Sequence, residues 1–559
     1  MPARLPSATL AQSGDLVPRS SQPRRAPRPR TSDGAGALGD LDRLAELADS
    51  LAATWAARAR STTSAGQERA VLRLFGVHGL DGEGRPLAGA VVDRWRTKDT
   101  TARTGGVALP FAMALLEYDL APQQLALDVV SGAVDLTLEA ELLREPDRRA
   151  VAEAEVARLA SAATDRVDAN RIARREILSL LGDAAEPWVG TTLTEPDADA
   201  ALDEVTALVG AGMDLLRVEI PVGRELTERM HDAGFEVPGW HPRGHGRGSA
   251  GALSEPAPTG SQRGLAVLRR ALDEAAAERR AYARLVTAAP ALSAPEGAVV
   301  AAFERIDITE GNPLDEIVAQ GVDPERSLSD HAFAHRLIRR AGTLLSIGAG
   351  PLVVAPDLAS GIPSDAATRS GRTVALQALA VAFARHNGLG GPVVAVGALP
   401  AWVTEETAPA TRAFAEVVVR RALFPGHPLA FDEPDLRRER RAVWSTVVGA
   451  ALAFAGPTAF VLQRPGPDPA STSRRARAGS SVAAELVAAT GPVSLRGAGL
   501  DHARAMVAAA IATLEQIGDQ GWRAVTGTSP VADQPFRLGR GTVIERGEPF
   551  DPLEVALGA

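Results

Sequence analysis

From residue 186 onward the chain alternates short apolar runs with amphipathic stretches, about eight times in succession. The runs are WVGTTL (188–193), DLLRVEI (214–220), ARLVTA (283–288), IDIT (306–309), TLLSIGA (343–349), PVVAVGAL (392–399), PLAFD (428–432) and AFVLQ (459–463). Between them the apolar period predicts helices over 197–211, 262–281, 295–305, 327–340, 366–387, 406–423 and 436–454. Strand–helix alternation of this kind predicts an α/β architecture. A closed, TIM-type (β/α)8 barrel over 186–465 fits the count best. PLVVAPD (351–357) is a surplus candidate strand.

Upstream the pattern is helical. LDRLAELADSLAATWAARAR, QERAVLRLFGV, VALPFAMALLEYDL and APQQLALDVVSGAVDL are followed by a long charged helix over about 146–180. Ala121-Pro122 suits the start of a helix, because proline is at home in a first turn. Residues 38–185 therefore read as a helical accessory region. The stretch 466–559 reads as a polar loop, helices around 480–490 and 500–520, and an irregular tail. Residues 1–37, rich in Pro, Ser and Arg, carry too little apolar surface to offset chain entropy and are expected to be disordered. Within them LVPRSS resembles a protease-tag remnant.

Composition narrows the chemistry. Of 559 residues 45% are hydrophobic and 23% charged, an ordinary globular balance. The net charge of −9 argues against a nucleic-acid coat. There is no cysteine, which removes disulfides, thiolate metal sites and cysteine nucleophiles. With no apolar run long enough to span a bilayer and no signal-peptide core, a cytoplasmic enzyme or enzyme subunit is expected. Lys98 is the only lysine and falls in a polar stretch before the barrel, where a surface role is expected.

The most conspicuous polar motif is GWHPRGHGRG (239–248), in the long connection after the strand at 214–220. A barrel places that connection at its carboxyl-end rim, where barrel enzymes work. His241 and His245 would share a helical face, but Pro242 and the glycines break a helix and Arg243 and Arg247 would repel a cation. No metal site is expected. Exposed amides and guanidinium groups instead favour an anion or a cofactor side chain near His241, Arg243 and His245, with Ser261 at the next helix start. A plain polar surface loop is the competing reading. The glycines of IGAG and RHNGLGG do not form a dinucleotide fingerprint.

Further segments carry a resemblance. QERAVLRLFGVHGLDGEGRPLAGAVVD (67–93), LALDVVSGAVDLT (125–137), ANRIARREI (169–177), RRALFPGHPL (420–429), ATLEQIG (512–518) and EPFDPLEVAL (548–557) occur in this order. The chain resembles, from about residue 40 onward, the large α subunit of the D-lysine 5,6-aminomutase family. The resemblance implies a barrel whose mouth caps adenosylcobalamin and holds pyridoxal phosphate and substrate. It implies a radical 1,2-amino shift on an amino acid such as D-lysine. It also implies a smaller β-type subunit that binds cobalamin and supplies the Schiff-base lysine. The lysine count agrees, since pyridoxal chemistry needs an amine that this chain does not offer near its barrel. By the same resemblance Asp323 is the candidate catalytic residue, orienting or accepting a proton from an amine or pyridinium. Arg217, Asn312 and Arg326 join His241, Arg243, His245 and Ser261 as candidate cofactor-binding residues.

Three strand ends depart from the family, one of them at 396–399, where the family presents a polar barrel top and this chain has VGAL. Where it has a ring-stacking aromatic, this chain has Thr287, Ala288, Ala289 and Pro290. Where it has an arginine suited to the cofactor phosphate, this chain has Glu219, Ile220 and Pro221. A phosphate without a cationic partner must leave water uncompensated. The substitutions point to a second reading, a non-catalytic barrel that scaffolds or regulates a cobalamin-binding subunit. A barrel enzyme acting on an unrelated small substrate is a third.

Overall fold

The computed structural model describes residues 38–82, 86–98, 106–184, 187–195, 197–219, 262–288, 292–349, 365–400, 409–433, 458–463, 495–522 and 543–545, with a few isolated positions at 444–451 and 524. The helical region runs α1 (Leu41–Arg60), β1 (Thr62–Ser64), α2 (Ala65–Leu74), α3 (Leu87–Lys98), α4 (Ala108–Tyr118), α5 (Pro122–Ser131), α6 (Leu136–Leu142) and α7 (Pro146–Leu181). Then follow β2 (Trp188–Thr192), α8 (Leu202–Gly210), β3 (Leu215–Glu219), α9 (Gln262–Arg279), β4 (Arg284–Ala288), α10 (Ala294–Phe303), β5 (Ile308–Glu310), α11 (Pro313–Gln320), α12 (Pro324–Ala341) and β6 (Leu344–Ile347). The remaining elements are α13 (Ala366–His386), β7 (Val394–Gly397), α14 (Pro409–Leu423), β8 (Leu429–Asp432), β9 (Thr458–Gln463), α15 (Ala498–Gln520) and β10 (Val543–Glu545).

Strands β2 to β9 close in sequence order into an eight-stranded barrel with every neighbouring pair parallel. Each expected apolar run supplies one strand. Because alternate residues of a strand face opposite sides, one set fills the interior and the other meets the surrounding helices. The interior set includes Leu215, Val286, Ile308, Ala395, Ala430, Phe460 and Leu462. At the amino end the Arg284 guanidinium lies 3.4 Å from the centre of the Trp188 ring and closes the base. One buried acid ties that base to the long helix α7. Asp307 accepts from Tyr282 Oη at 2.7 Å, Arg269 Nη1 at 2.9 Å and Leu285 N at 2.9 Å. Arg174 Nε of α7 lies 3.2 Å from the same carboxylate.

Local signals explain the helices that carry the site. Asn312 caps α11 through its side-chain oxygen, with Pro313 in the first turn. Asp323 caps α12 in the same way, followed by Pro324. That cap starts α12 three residues before the expected 327. The helix α11, the strand pair β1–β10 (antiparallel, Thr62 opposite Glu545) and their contribution were not predicted by the apolar period. The candidate strand 351–357 and the helix around 480–490 lie outside the described residues.

The helical region is not a separate bead. One continuous core joins α1–α7 to α10, α12, α13, α14 and α15. A second, smaller core serves α8 and α9. At Gly371 a Cβ would lie 2.5 Å from Ala509 Cβ, so α13 and α15 cross at a distance only glycine permits. Helix α2 is buried from Ala65 to Leu72, including its polar residues, and these are paired. Arg69 Nε donates to Glu296 at 2.9 Å, Gln67 Nε2 donates to Ser329 O at 2.6 Å, and Ser64 donates to Asp330.

Candidate functional site

At the carboxyl ends of the strands lies a cavity of 360 Å³. Its outer part is built from inward-facing strand residues: Arg217 of β3, Ala288 of β4, Glu310 of β5, Ser346 of β6, Gly397 of β7 and Asp432 of β8. Arg217 Nη2 lies 2.7 Å from Glu310 Oε2, and Nη1 lies 3.7 Å from Asp432 Oδ2. The guanidinium therefore spans the mouth between two carboxylates.

The cavity continues behind the barrel wall. Thr309 and Leu345 sit between inward-facing residues, so they face out toward α11 and α12. Helix α12 presents His331, Ala334, His335 and Ile338 to this inner lobe. Their spacing of three and four places them on one face. Helix α11 adds Asp315 and Glu316.

The polar groups of this lobe fall into two sets. Glu316 is satisfied: its Oε1 lies 3.0 Å from His331 Nε2, and its Oε2 accepts from Ser327 Oγ at 2.9 Å. His335 is 0% exposed and neither ring nitrogen has a hydrogen-bond partner among the described residues. Burial, and then the neighbouring His331, hold its pKa well below the usual histidine range, so the ring is neutral. Asp315 Oδ1 and Thr309 Oγ1 are likewise sealed without a partner among the described residues. Burial, reinforced by Glu316, pushes the Asp315 carboxyl up to about 7, while Asn312 and His331 pull against that rise. The residue as a whole is only partly buried, because one side of it faces the cavity.

A second buried network holds the loops of the mouth. Arg420 of α14 is 0% exposed. It pairs with Glu416, donates from Nε to Gln377 Oε1 at 2.8 Å and from Nη2 to Ala349 O at 3.1 Å. Gln377 Nε2 in turn donates to Gly348 O at 2.6 Å and Gly397 O at 2.9 Å. A Cβ at Gly397 would lie 2.3 Å from the Ala349 amide nitrogen, so only glycine lets β7 pass this loop.

Of the residues expected from sequence, Arg217 and Asn312 line the cavity. Asn312 Oδ1 also accepts from Leu314 N at 3.0 Å as the cap of α11. Asp323 and Arg326 are not among the lining residues. Asp323 Oδ1 accepts from Arg326 N at 3.1 Å. Arg326, 2% exposed, donates from Nε to Asp330 Oδ2 at 2.6 Å and from Nη2 to Leu292 O at 3.3 Å, beneath α2. His241, Arg243, His245 and Ser261 lie outside the described residues. Glu310, Asp315, His331, His335 and Asp432 are not among the expected residues. The signal for two of them was HAFAH (331–335), an i, i+4 histidine pair in an unbroken helix. Among the described residues no group of three or more acidic or histidine side chains is arranged to hold a metal ion, and no helix is long and apolar enough to cross a membrane.

Comparison with known proteins places these features in context. Residues 39–446 match the sequence model described as the D-lysine 5,6-aminomutase TIM-barrel domain of the alpha subunit. Apart from Phe460, every described lining residue of the cavity falls within that match. A lysine 5,6-aminomutase alpha subunit from Acetoanaerobium sticklandii is 26% identical over 283 residues, 50% of each chain. One from Fusobacterium nucleatum subsp. nucleatum is 27% identical over 282 residues, again 50% of each. The chain thus spans about half the length of the curated relatives it matches.

Proposed function

The chain belongs to the D-lysine 5,6-aminomutase alpha-subunit TIM-barrel family, and from that premise we propose that it is the barrel-bearing, α-type subunit of an adenosylcobalamin-dependent aminomutase of the cytoplasm. In this reading the barrel mouth receives an amino-acid substrate. A smaller β-type partner carries the cobalamin and contributes the lysine for pyridoxal phosphate. The observation that carries the reading is the cavity at the carboxyl rim, with Arg217 between Glu310 and Asp432 at its mouth, whose described lining falls almost entirely in the family-matched segment. Adenosylcobalamin would supply the radical. The chain's own part is to hold the substrate amine among carboxylates and to keep water from it.

Pyridoxal phosphate does not fit the described lining. Among the described lining residues Glu310 and Asp432 face one guanidinium, Arg217, which already lies between them, and Asp315 and Glu316 lie behind β5 in the inner lobe. A phosphate brought there would meet more negative than positive charge. No lining residue is a lysine. This charge balance favours the second reading, a barrel that scaffolds or regulates a cobalamin-binding subunit without catalysing the amino shift.

Co-purification with the small partner separates the two. The pair is loaded with adenosylcobalamin and pyridoxal phosphate and incubated with D-lysine, and the position of the amino group is followed by NMR. Migration of the amino group supports the catalytic subunit. A pair that binds cobalamin, shows no absorbance from lysine-bound pyridoxal and leaves D-lysine unchanged establishes the scaffold.

A further inference from the structure

We propose that the end of the helical collar where α4, α6 and α7 meet is a docking surface for a basic, amphipathic segment of another protein. It shares none of the residues that line the barrel cavity and does not depend on whether the barrel is catalytic.

Helix α4 shows where the surface begins. Its residues from Ala108 to Leu115 are all buried, and the last turn then emerges with Leu116, Glu117 and Tyr118 exposed. Two contacts gather the neighbouring helices around it. Tyr118 Oη donates to Glu139 Oε1 of α6 at 3.1 Å, next to Leu138 in the chain. Glu117 Oε2 lies 3.6 Å from Arg148 Nη1 of α7, and Val151 follows one turn farther along that helix. Leu138 is 59% exposed and Val151 53%. With Leu127 of α5, residues 116–151 hold five of the nine large hydrophobic side chains exposed among the described residues. Such side chains scattered singly need no explanation, whereas a concentration of them marks an interaction face.

Charge identifies the occupant. Between 116 and 151 stand eight acids and three arginines, so this segment alone carries −5 of the chain's net −9. Two of the arginines are already engaged, Arg148 with Glu145 and Glu117, and Arg149 with Glu153. Neither α4 nor α6 has a basic residue in its last turn. Instead Glu117 and Asp119 flank the end of α4, and Glu139 and Glu141 that of α6. Carboxylates there add to the negative end of the helix dipole, which favours a cation. A second copy would set the same negative surface against itself, and a nucleic acid or an anionic membrane would bring more negative charge. Arginine or lysine side chains of a polypeptide, with apolar residues between them, match both the charge and the exposed leucine, tyrosine and valine.

The test uses the full chain and a fluorescein-labelled synthetic helix with leucine along one face and arginine along the other, followed by fluorescence anisotropy. Saturable binding is expected, on the order of micromolar at low salt and weaker as salt screens the pairs. A scrambled peptide of the same composition keeps the charge and loses the apolar face, and should bind about 10-fold more weakly. Leu138→Asn and Val151→Asn, both at exposed positions, should each weaken binding by about 3- to 10-fold. Asp119→Asn combined with Glu141→Gln should weaken it by about 3-fold or more. Leu180→Asn, at a position 83% exposed near the opposite end of α7, should leave it unchanged. The proposal is overturned by equal binding of the scrambled peptide, by unchanged affinity in the Leu138 and Val151 variants, or by an equal loss in the Leu180 variant. Self-association of the chain in sedimentation that the Leu138 and Val151 variants abolish would assign the surface to a second copy and overturn it equally.

Discussion

Replacing Asp315 with asparagine should stabilise the protein, and by an amount that grows with pH. Burial and the adjacent Glu316 raise the folded-state pKa from 3.8 to about 7. In the unfolded chain the same carboxyl releases its proton near pH 4. Between these values the folded state holds a proton that the unfolded state has given up, so stability falls as pH rises. It is fully present below about pH 4, is lost through about pH 7 and is flat above that. A shift of about 3 pH units corresponds to about 4 kcal/mol at most. The residue partly faces the cavity, where water screens it, so about half of that is the working expectation. Asparagine carries no charge at any pH and escapes this loss. Thermal unfolding of both proteins, followed by scanning calorimetry from about pH 5 to about pH 8, should show the gap in melting temperature widening by a degree or more. Any fixed cost of the substitution itself shifts the whole curve and leaves the widening intact. Parallel curves across that range would refute the claim that burial and Glu316 raise the Asp315 carboxyl to about 7.

Three further outcomes follow from the geometry. Arg420→Met removes the charge that faces buried Glu416, frees the loop at Ala349 and releases Gln377, whose Nε2 holds the carbonyls of Gly348 and Gly397. It should cost about 3–5 kcal/mol, read as loss of soluble protein or a large fall in melting temperature. Gly397→Ala forces a methyl against the Ala349 amide, and should cost about 1–3 kcal/mol, read as a fall in melting temperature. Tyr282→Phe removes the 2.7 Å hydrogen bond to Asp307 at the base. It should cost about 1–2 kcal/mol, read as a fall in melting temperature.

The barrel was legible because its strands are apolar on both faces. Runs such as PVVAVGAL and TLLSIGA stand out from the helical periods between them, and each coincides with a strand. What the pattern concealed is short or distant. The eight-residue helix Pro313–Gln320 is only about two turns long and its start, Asn312-Pro313, reads equally well as a turn. The pairing of residues 62–64 with 543–545 joins segments nearly the whole chain apart, and three-residue strands leave no period to detect. The site was legible in part for the same reason. Arg217 and Asn312 follow directly from strand ends, which a barrel gathers at one rim. The spacing of His331 and His335 puts them on one helical face, but that this face and Asp315 meet the cavity depends on the rotational phase of α11 and α12 against β5 and β6, a tertiary relation the sequence does not encode. Asp323 and Arg326 sit close to them in sequence yet serve the cap of α12 and its contact with α2.

The burial of α2 beside the barrel bears on how this protein can be dissected. Cleaving the chain near residue 185 would not liberate an autonomous cylinder. Glu296 would lose Arg69, Ser329 would lose Gln67, and Asp330 would lose the Ser64 hydroxyl, each within a surface otherwise sheathed in alanine and leucine. The two segments were never independent lodgers in one polypeptide. The helical collar is part of the mould in which the cylinder sets, and a truncated version would report on a different molecule.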